Sequence, residues 1–288
     1  MEYFIIENAV NTCYIDSLLV SLFYKPVLPI DNILNKDLKN VVATYLQEYI
    51  KERFVKAIRS NKSVLRDDIE MIRVICSQIG WPTLQTKDKQ DAHLDQQDVT
   101  EFFCFLLDTF EVEKINIQRY SLKNNQGEEV EPANKEVIPY IPLALPELSD
   151  ESITIKKMLY DWQHNNFVNL NKKTTCLNSY IIMNSPSLLA LAINRFNNEG
   201  HRIKTNVIIQ KKIYINDKKL TEWTFHAAIC HRGTSTKSGH YYSLINNSGN
   251  WYIFDDLNVP CMKLVKMDDP SITNMIKKEC FFVLYVKK

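Results

Sequence analysis

The chain has 288 residues, 45% hydrophobic and 24% charged, enough for one large or two ordinary domains around a substantial core. Thirty-five Lys and Arg against thirty-four Asp and Glu leave a formal charge of +1, which does not suggest nucleic acid as the main partner, since its backbone calls for clustered Lys and Arg. No stretch is long and apolar enough to span a bilayer. The seven cysteines, at positions 13, 76, 104, 176, 230, 261 and 280, contain no C-x-x-C pair, which argues against a disulfide framework and a paired-cysteine zinc site. Glu2 and Glu7 replace the basic start that a signal peptide would need. The expectation is a monomer of a reducing compartment, cytoplasmic with nuclear access, that uses no membrane, nucleic acid, cofactor or metal.

In chain order, Cys13 heads an apolar run in which Leu18, Leu19, Leu22 and Phe23 recur at helical spacing. Residues 37–59 and 67–79 read as helices, the second ended by "GWP". The strongest helical pattern follows Asp95, where Val99, Phe102, Phe103, Leu106, Leu107 and Phe110 form one apolar face. From about Gln118 the texture changes. "NNQGEEVEPANKE" reads as a loop and "VIPYIPLAL" as an extended segment broken by proline. A short helix is expected from Ile155 to Gln163. Apolar strand-like runs follow: "YIIM", "LLALAI", "VIIQKKIYI", "TFHAAIC", "HYYSLI", "WYIFDD" and "CFFVLYV". Helices first and strands afterwards predict an α+β fold with its site between the two halves.

Two stretches carry chemistry. "NAVNTCYIDSLL" sets Cys13 at the start of a helix, where the dipole favours a thiolate. "HRGTSTKSGHYYSLINNSGNWYIFDD" holds the turn cluster "NNSGN" between two strands, so Tyr241–Ile245 and Trp251–Asp255 should form a hairpin. Setting Ile245 opposite Trp251 brings Asp256 level with His240, and a slipped register brings Asp255 alongside. Parity leaves the choice open. A thiol, an imidazole and an orienting acid, with Asn8 or Asn11 as oxyanion donor, are the parts of a cysteine hydrolase. A buried, inert cysteine beside a surface His–Asp hairpin would fit the same spacing.

The two stretches resemble the Cys box and the His box of the ubiquitin-specific proteases. "QQDVTEFFCFLLD" resembles that family's Q-Q-D-x-x-E-F helix, and "PSLLALAINRF" its P-x-x-L…RF strand. The four motifs run in family order from residue 8 to residue 256. The resemblance implies a papain-like, right-hand architecture in one catalytic domain over 1–288. Residues 1–112 would be a helical thumb, and residues 113–288 a β palm with reduced fingers. It implies a deubiquitinating thiol hydrolase whose partners are ubiquitin and ubiquitinated proteins. Cys13 would be the nucleophile, His240 the base, Asp255 its orienting acid and Asn8 the oxyanion donor, with Asp256 as a second acid. Asn11 would be structural. Asp98 and Glu101 would hold arginines of the ubiquitin tail, or else cap their helix. His231 and Tyr241 would flank the channel for the terminal glycines.

Departures from the pattern set further expectations. Val10 stands where the family has Gly, which predicts a stiffer loop. Asp16 stands for Asn and would oppose a thiolate if charged and close. The paired finger cysteines are missing, with Cys176 alone in their region, so the fingers are expected to hold no metal. Other readings of the same residues are a protease for a related modifier, a catalytically inactive ubiquitin-binding module, and a polyprotein-processing protease. The last leaves Asp98 and Glu101 unexplained.

Overall fold

The computed structural model describes residues 4–82, 96–124, 131–147, 151–171, 174–216, 220–235 and 238–288. The N-terminal part is helical: α1 (Cys13–Phe23), α2 (Leu28–Asp31), α3 (Val41–Tyr49), a π-helical turn (Ile50–Val55), α4 (Lys56–Arg59), α5 (Arg66–Ile79) and α6 (Val99–Thr109). The helix expected from Asp37 starts at Val41, because the Asn40 side chain accepts from the Val42 and Ala43 N–H groups and caps it there. Gly80, at φ +104°, ends α5 in the left-handed conformation that glycine adopts without strain. Every residue of α1 is buried. It is the central helix, and its sequence is accordingly apolar on more than one face.

Strands then follow: β1 (Ile115–Asn124), β2 (Glu131–Ile138), β3 (Ile141–Ala144), β4 (Ser152–Thr154), helix α7 (Ile155–His164), β5 (Asn166–Asn171) and β6 (Thr174–Ile182). The chain continues through β7 (Leu188–Asn194), β8 (Asn206–Ile208), β9 (Lys212–Asn216), β10 (Leu220–Ser235), β11 (Ser238–Asn247), β12 (Asn250–Phe254) and β13 (Met262–Val265). Helix α8 (Pro270–Glu279) and β14 (Cys280–Lys287) complete it. The palm is an eight-stranded sheet of order β13-β12-β11-β10-β14-β7-β3, with β9 beside β10; the fingers are a four-stranded sheet of order β2-β1-β6-β5.

The palm sheet is buried on both faces. On β10, Ala227 and Ile229 pack with the helices, including Tyr14, Leu18 and Phe103, while Ala228 and Cys230 pack with α7 and its surroundings. On β14, Phe282 and Leu284 face one way, Val283 and Tyr285 the other. Side chains alternate along a strand, so two buried faces require an unbroken apolar run, which is how "CFFVLYV" reads. Arg195 at the end of β7 is wholly buried and donates to the carbonyls of Cys280, Thr205 and Lys277 at 2.7–2.8 Å. It ties β7 to α8 and β14.

Several expectations are corrected here. The stretch read as a loop, "NNQGEEVEPANKE", is strand at both ends, Asn124 closing β1 and Glu131 opening β2; residues 125–130 lie outside the described residues. Backbone pairing carries these strands; among those of their side chains that are described, Ile115 and Ile117 at the base of β1 are the deeply buried ones. "VIIQKKIYI" is two strands: β8 pairs with β4 in parallel and β9 with β10 antiparallel. Strand β13 and helix α8 were not anticipated. Cys176 lies in β6, and its side chain is outside the described residues.

Candidate active site

Cys13 is the first residue of α1 and is buried, with 6% of its surface exposed. The chain reaches it through a tight turn in which Thr12 donates from both N (3.2 Å) and Oγ (2.7 Å) to the Ala9 carbonyl. The left-handed residue of this turn is Asn11, at φ +63°, a conformation asparagine tolerates. Val10, by contrast, has no positive φ, so glycine is not required there, and its side chain is exposed. Arg73 of α5, itself buried, donates to the Val10 carbonyl at 2.8 Å and holds the turn from behind.

His240 lies on β11. The hairpin forms as expected, but Trp251 pairs with Asn246 and Tyr252 with Ile245, one residue away from the assumed register. Pairing stops at Ser243–Phe254, so neither acid sits in the ladder. Beyond Phe254 the chain turns back: Asp255 N donates to the Cys261 carbonyl, and Asp255 Oδ1 accepts from Leu257 N at 3.1 Å. The same Oδ1 lies 2.8 Å from His240 Nε2, while Asp256 Oδ1 is 3.6 Å from it. Asp255 is thus the direct partner. The His240 ring also hydrogen-bonds Cys13. Burial alone would lower the imidazole's proton affinity. The bonds to Asp255 and Cys13, with Asp256 nearby, outweigh it and raise His240 to about 10. Burial pushes Asp255 upward, yet its bond and charge pairing with His240 leave it below the usual carboxylate range. The sulfur thus stands at a helix N-terminus beside an imidazole held by an acid, the parts of a nucleophile and its base.

Asn8 lies beside this pair, and its Nδ2 donates to Asp256 Oδ2 at 2.7 Å. Asp256 is raised above the ordinary carboxylate range by burial, with the Asp255 charge adding to it. Asp16, one helical turn beyond Cys13, is completely buried and is raised much further, by burial first and by Asp256 second. Among the described residues, the side chains close enough to share a metal ion are His240, Asp255 and Asp256, already engaged in this cluster.

The remaining residues singled out in the sequence gather next to it. Asp98 is the N-cap of α6: its Oδ1 accepts from the N–H groups of Thr100 and Glu101. Its Oδ2 accepts from the Tyr241 hydroxyl at 3.4 Å. Capping and a contact with Tyr241 therefore coexist. Glu101 is exposed on the first turn, raised by partial burial and by Asp98. Tyr241 and His231 are paired across β10 and β11, with ring centroids 4.8 Å apart, and both are buried rather than lining an open surface. Gly239 covers them. A Cβ there would lie 2.3 Å from His231 Nε2, so only glycine fits. Burial, then the charge of Arg202, lowers His231 to about 4. Gln96 had not been singled out. Its Nε2 donates to the Gly239 carbonyl at 2.9 Å, clasping the approach to His240 against the helical side. Its signal was its place in the quoted "QQDVTEFF".

The family model described as "Ubiquitin carboxyl-terminal hydrolase" matches residues 5–274. Human ubiquitin carboxyl-terminal hydrolase 17-like protein 15 is 27% identical over 112 residues, 36% of this chain and 19% of that protein. Human 17-like protein 6 is 26% identical over 112 residues, again 36% of this chain and 26% of the relative. The chain thus spans about a fifth to a quarter of these relatives. In structure it is similar to the SAGA DUB module of Ubp8, Sgf11, Sus1 and Sgf73 bound to monoubiquitin. The TM-score is 0.70 at 14% identity, over 100% of this chain and 69% of that one. The same module bound to ubiquitin aldehyde gives 0.68 at 14% identity, over 100% and 70%. At that identity the likeness is one of fold, the right-hand α+β architecture. With the family model matched over nearly its whole length, the chain belongs to the ubiquitin carboxyl-terminal hydrolase family.

Proposed function

We propose that this chain is a cysteine-type deubiquitinase that cleaves the peptide or isopeptide bond after the C-terminal glycine of ubiquitin in protein conjugates. The observation that carries the reading is His240 held between Cys13 and Asp255, with 2.8 Å to the acid. In this reading the Cys13 thiolate attacks the glycine carbonyl. His240, as imidazolium, gives its proton to the departing amine and leaves a thioester. Neutral His240 then takes a proton from water, which attacks the thioester and frees the ubiquitin carboxylate and Cys13. The Asn8 amide has two N–H groups. One is on Asp256, and the other is available to the oxyanion.

Asp98 and Glu101 supply negative charge at the thumb edge of the cleft, suited to the basic residues of a ubiquitin tail. Ubiquitin-bound neighbours of the same fold support ubiquitin as the substrate. The six described cysteines are free, which suits a reducing compartment, and we place the enzyme in the cytoplasm as a monomer working in one catalytic unit over residues 1–288. The test is a ubiquitin probe with a thiol-reactive group at its C-terminus. A covalent adduct that maps to Cys13 is expected. Capture of a different modifier in preference to ubiquitin would reassign the substrate, and binding without an adduct would make the chain a binding module.

A further inference from the structure

Thr12 has one hydroxyl proton and two close oxygen neighbours. Its Oγ lies 2.7 Å from the Ala9 carbonyl oxygen and 2.9 Å from Asp16 Oδ2. A carbonyl oxygen can only accept, so the Thr12 proton belongs on Ala9. The contact with Asp16 then needs a proton of its own, and the Asp16 carboxyl is its source. The other carboxyl oxygen points the same way. Asp16 has 0% exposure, and its Oδ1 has no hydrogen-bond partner. An ionised carboxylate sealed there would lose its hydration with only the Thr12 hydroxyl and the weaker charges of Arg73 and His240 in exchange, and nothing on Oδ1.

The groups around Asp16 agree with this. Asp256, from the loop after β12, is the largest charge influence and disfavours a second negative charge. Arg73 on α5 and His240 on β11 act the other way and more weakly. Tyr14 on the same helix and Cys261 behind the loop also face it, both held in their neutral forms by burial.

We propose that Asp16 is a positioning residue working as a neutral hydrogen-bond donor: its carboxyl proton on Thr12 Oγ, and the Thr12 proton on the Ala9 carbonyl, form a relay that fixes the turn between Asn8 and Cys13. The relay explains why Thr12, although at the N-cap of α1, makes no side-chain capping bond. Its hydroxyl is used for the turn instead. It acts on two groups, setting Cys13 at the head of the helix and holding Asn8 within reach of Asp256. Were Asp16 ionised, Thr12 would turn its proton inward and release Ala9. A negative charge would then sit on the helix face that carries Cys13. The negative charge expected from the sequence to oppose the thiolate is, in this account, absent.

The kinetic part of the inference rests on Cys13 being the nucleophile; the protonation itself does not, and the experiment separates them. In protein labelled with carbon-13 at aspartate carboxyls, the resonance missing from Asp16→Asn identifies Asp16. It is expected at the position of a protonated carboxyl at neutral pH, where exposed aspartates are ionised. A resonance at the ionised position overturns the proposal whether or not the protein hydrolyses ubiquitin. On a fluorogenic ubiquitin C-terminal amide, Asp16→Asn, whose amide can donate to Thr12, should keep kcat within about threefold of wild type. Asp16→Leu, which cannot donate, should lower kcat about tenfold or more at unchanged KM. If the two variants, both folded by thermal melting, are equally impaired, the donor role is wrong. If neither wild type nor variant hydrolyses the amide while the resonance is protonated, the proposed function fails and the relay stands.

Discussion

The side-chain amide of Asn8 donates to Asp256 Oδ2 at 2.7 Å and joins the segment before Cys13 to the loop that follows β12. That bond gives two adjacent acids different tasks, since Asp255 holds His240 and Asp256 holds Asn8. Asp255→Ala is therefore expected to lower kcat by up to ~10⁴-fold, as for other orienting acids of such triads. Asp256→Ala leaves His240 oriented but frees Asn8, and a loss of about 10–100-fold is expected, at or below that of deleting an oxyanion donor. Steady-state kinetics on a ubiquitin amide substrate decides. A loss from Asp256→Ala far above that from Asp255→Ala would reverse the two assignments.

Cys13→Ala should abolish turnover while ubiquitin is still captured, because in the proposed function the sulfur does the chemistry and the surrounding surface the recognition. Binding measured by calorimetry, beside hydrolysis at high enzyme concentration, checks this. Turnover near the wild-type rate would move the nucleophile elsewhere.

Asp98 and Glu101 should separate on mutation. Asp98 caps α6, so Asp98→Ala is expected to cost about 1 kcal/mol of stability and to lower the melting temperature. Glu101 is exposed and is not the cap, so Glu101→Lys should leave melting nearly unchanged and raise KM for a ubiquitin substrate at constant kcat. An unchanged KM would confine this acidic pair to shaping the helix.

Stability should depend on pH through three histidines. Burial lowers both His226, which donates to the Leu22 carbonyl, and His231, each to about 4. An unfolded imidazole takes its proton near ~6.5, so below that the unfolded state binds more protons and the native state loses ground until about 4. His240 acts in the opposite direction: its contribution is complete below the unfolded value and is lost as pH rises toward about 10. The histidine contribution to stability should therefore be greatest near ~pH 6.5, where neither change has set in. Melting temperatures across the range test this, and His226→Gln should flatten the acid side. An acid side equally steep in that variant would rule His226 out as a cause.

How much of this could be read from the sequence depended on how local the cause was. The hairpin carrying His240 and the helix behind Cys13 follow from turn residues and apolar spacing, and both formed. The choice between Asp255 and Asp256 did not follow, because pairing ends at Phe254 and the bonds of Asp255 to Cys261 and Leu257 decide its direction. The start of α8 was legible in principle. Asp269 accepts from Ser271 N, and Pro270 occupies the first turn, a helix start short enough to overlook. The finger strands were hidden for the opposite reason, since their many polar residues give no sustained alternating pattern. The state of Asp16 is set by burial against Asp256, a partner brought in from the far end of the chain, which spacing cannot report.

Strand β14 lies between β10 and β7 in the middle of the palm, although it is made after every residue of the site. A nascent chain that already contains Cys13, His240 and Asp255 still lacks the strand on which the two halves of the sheet meet. On the proposed function, hydrolysis would therefore await residues 280–287, the strand that fills that gap. A frameshift or stop codon ahead of Cys280 would yield a product that keeps Cys13, His240 and Asp255 and lacks the strand joining β10 to β7.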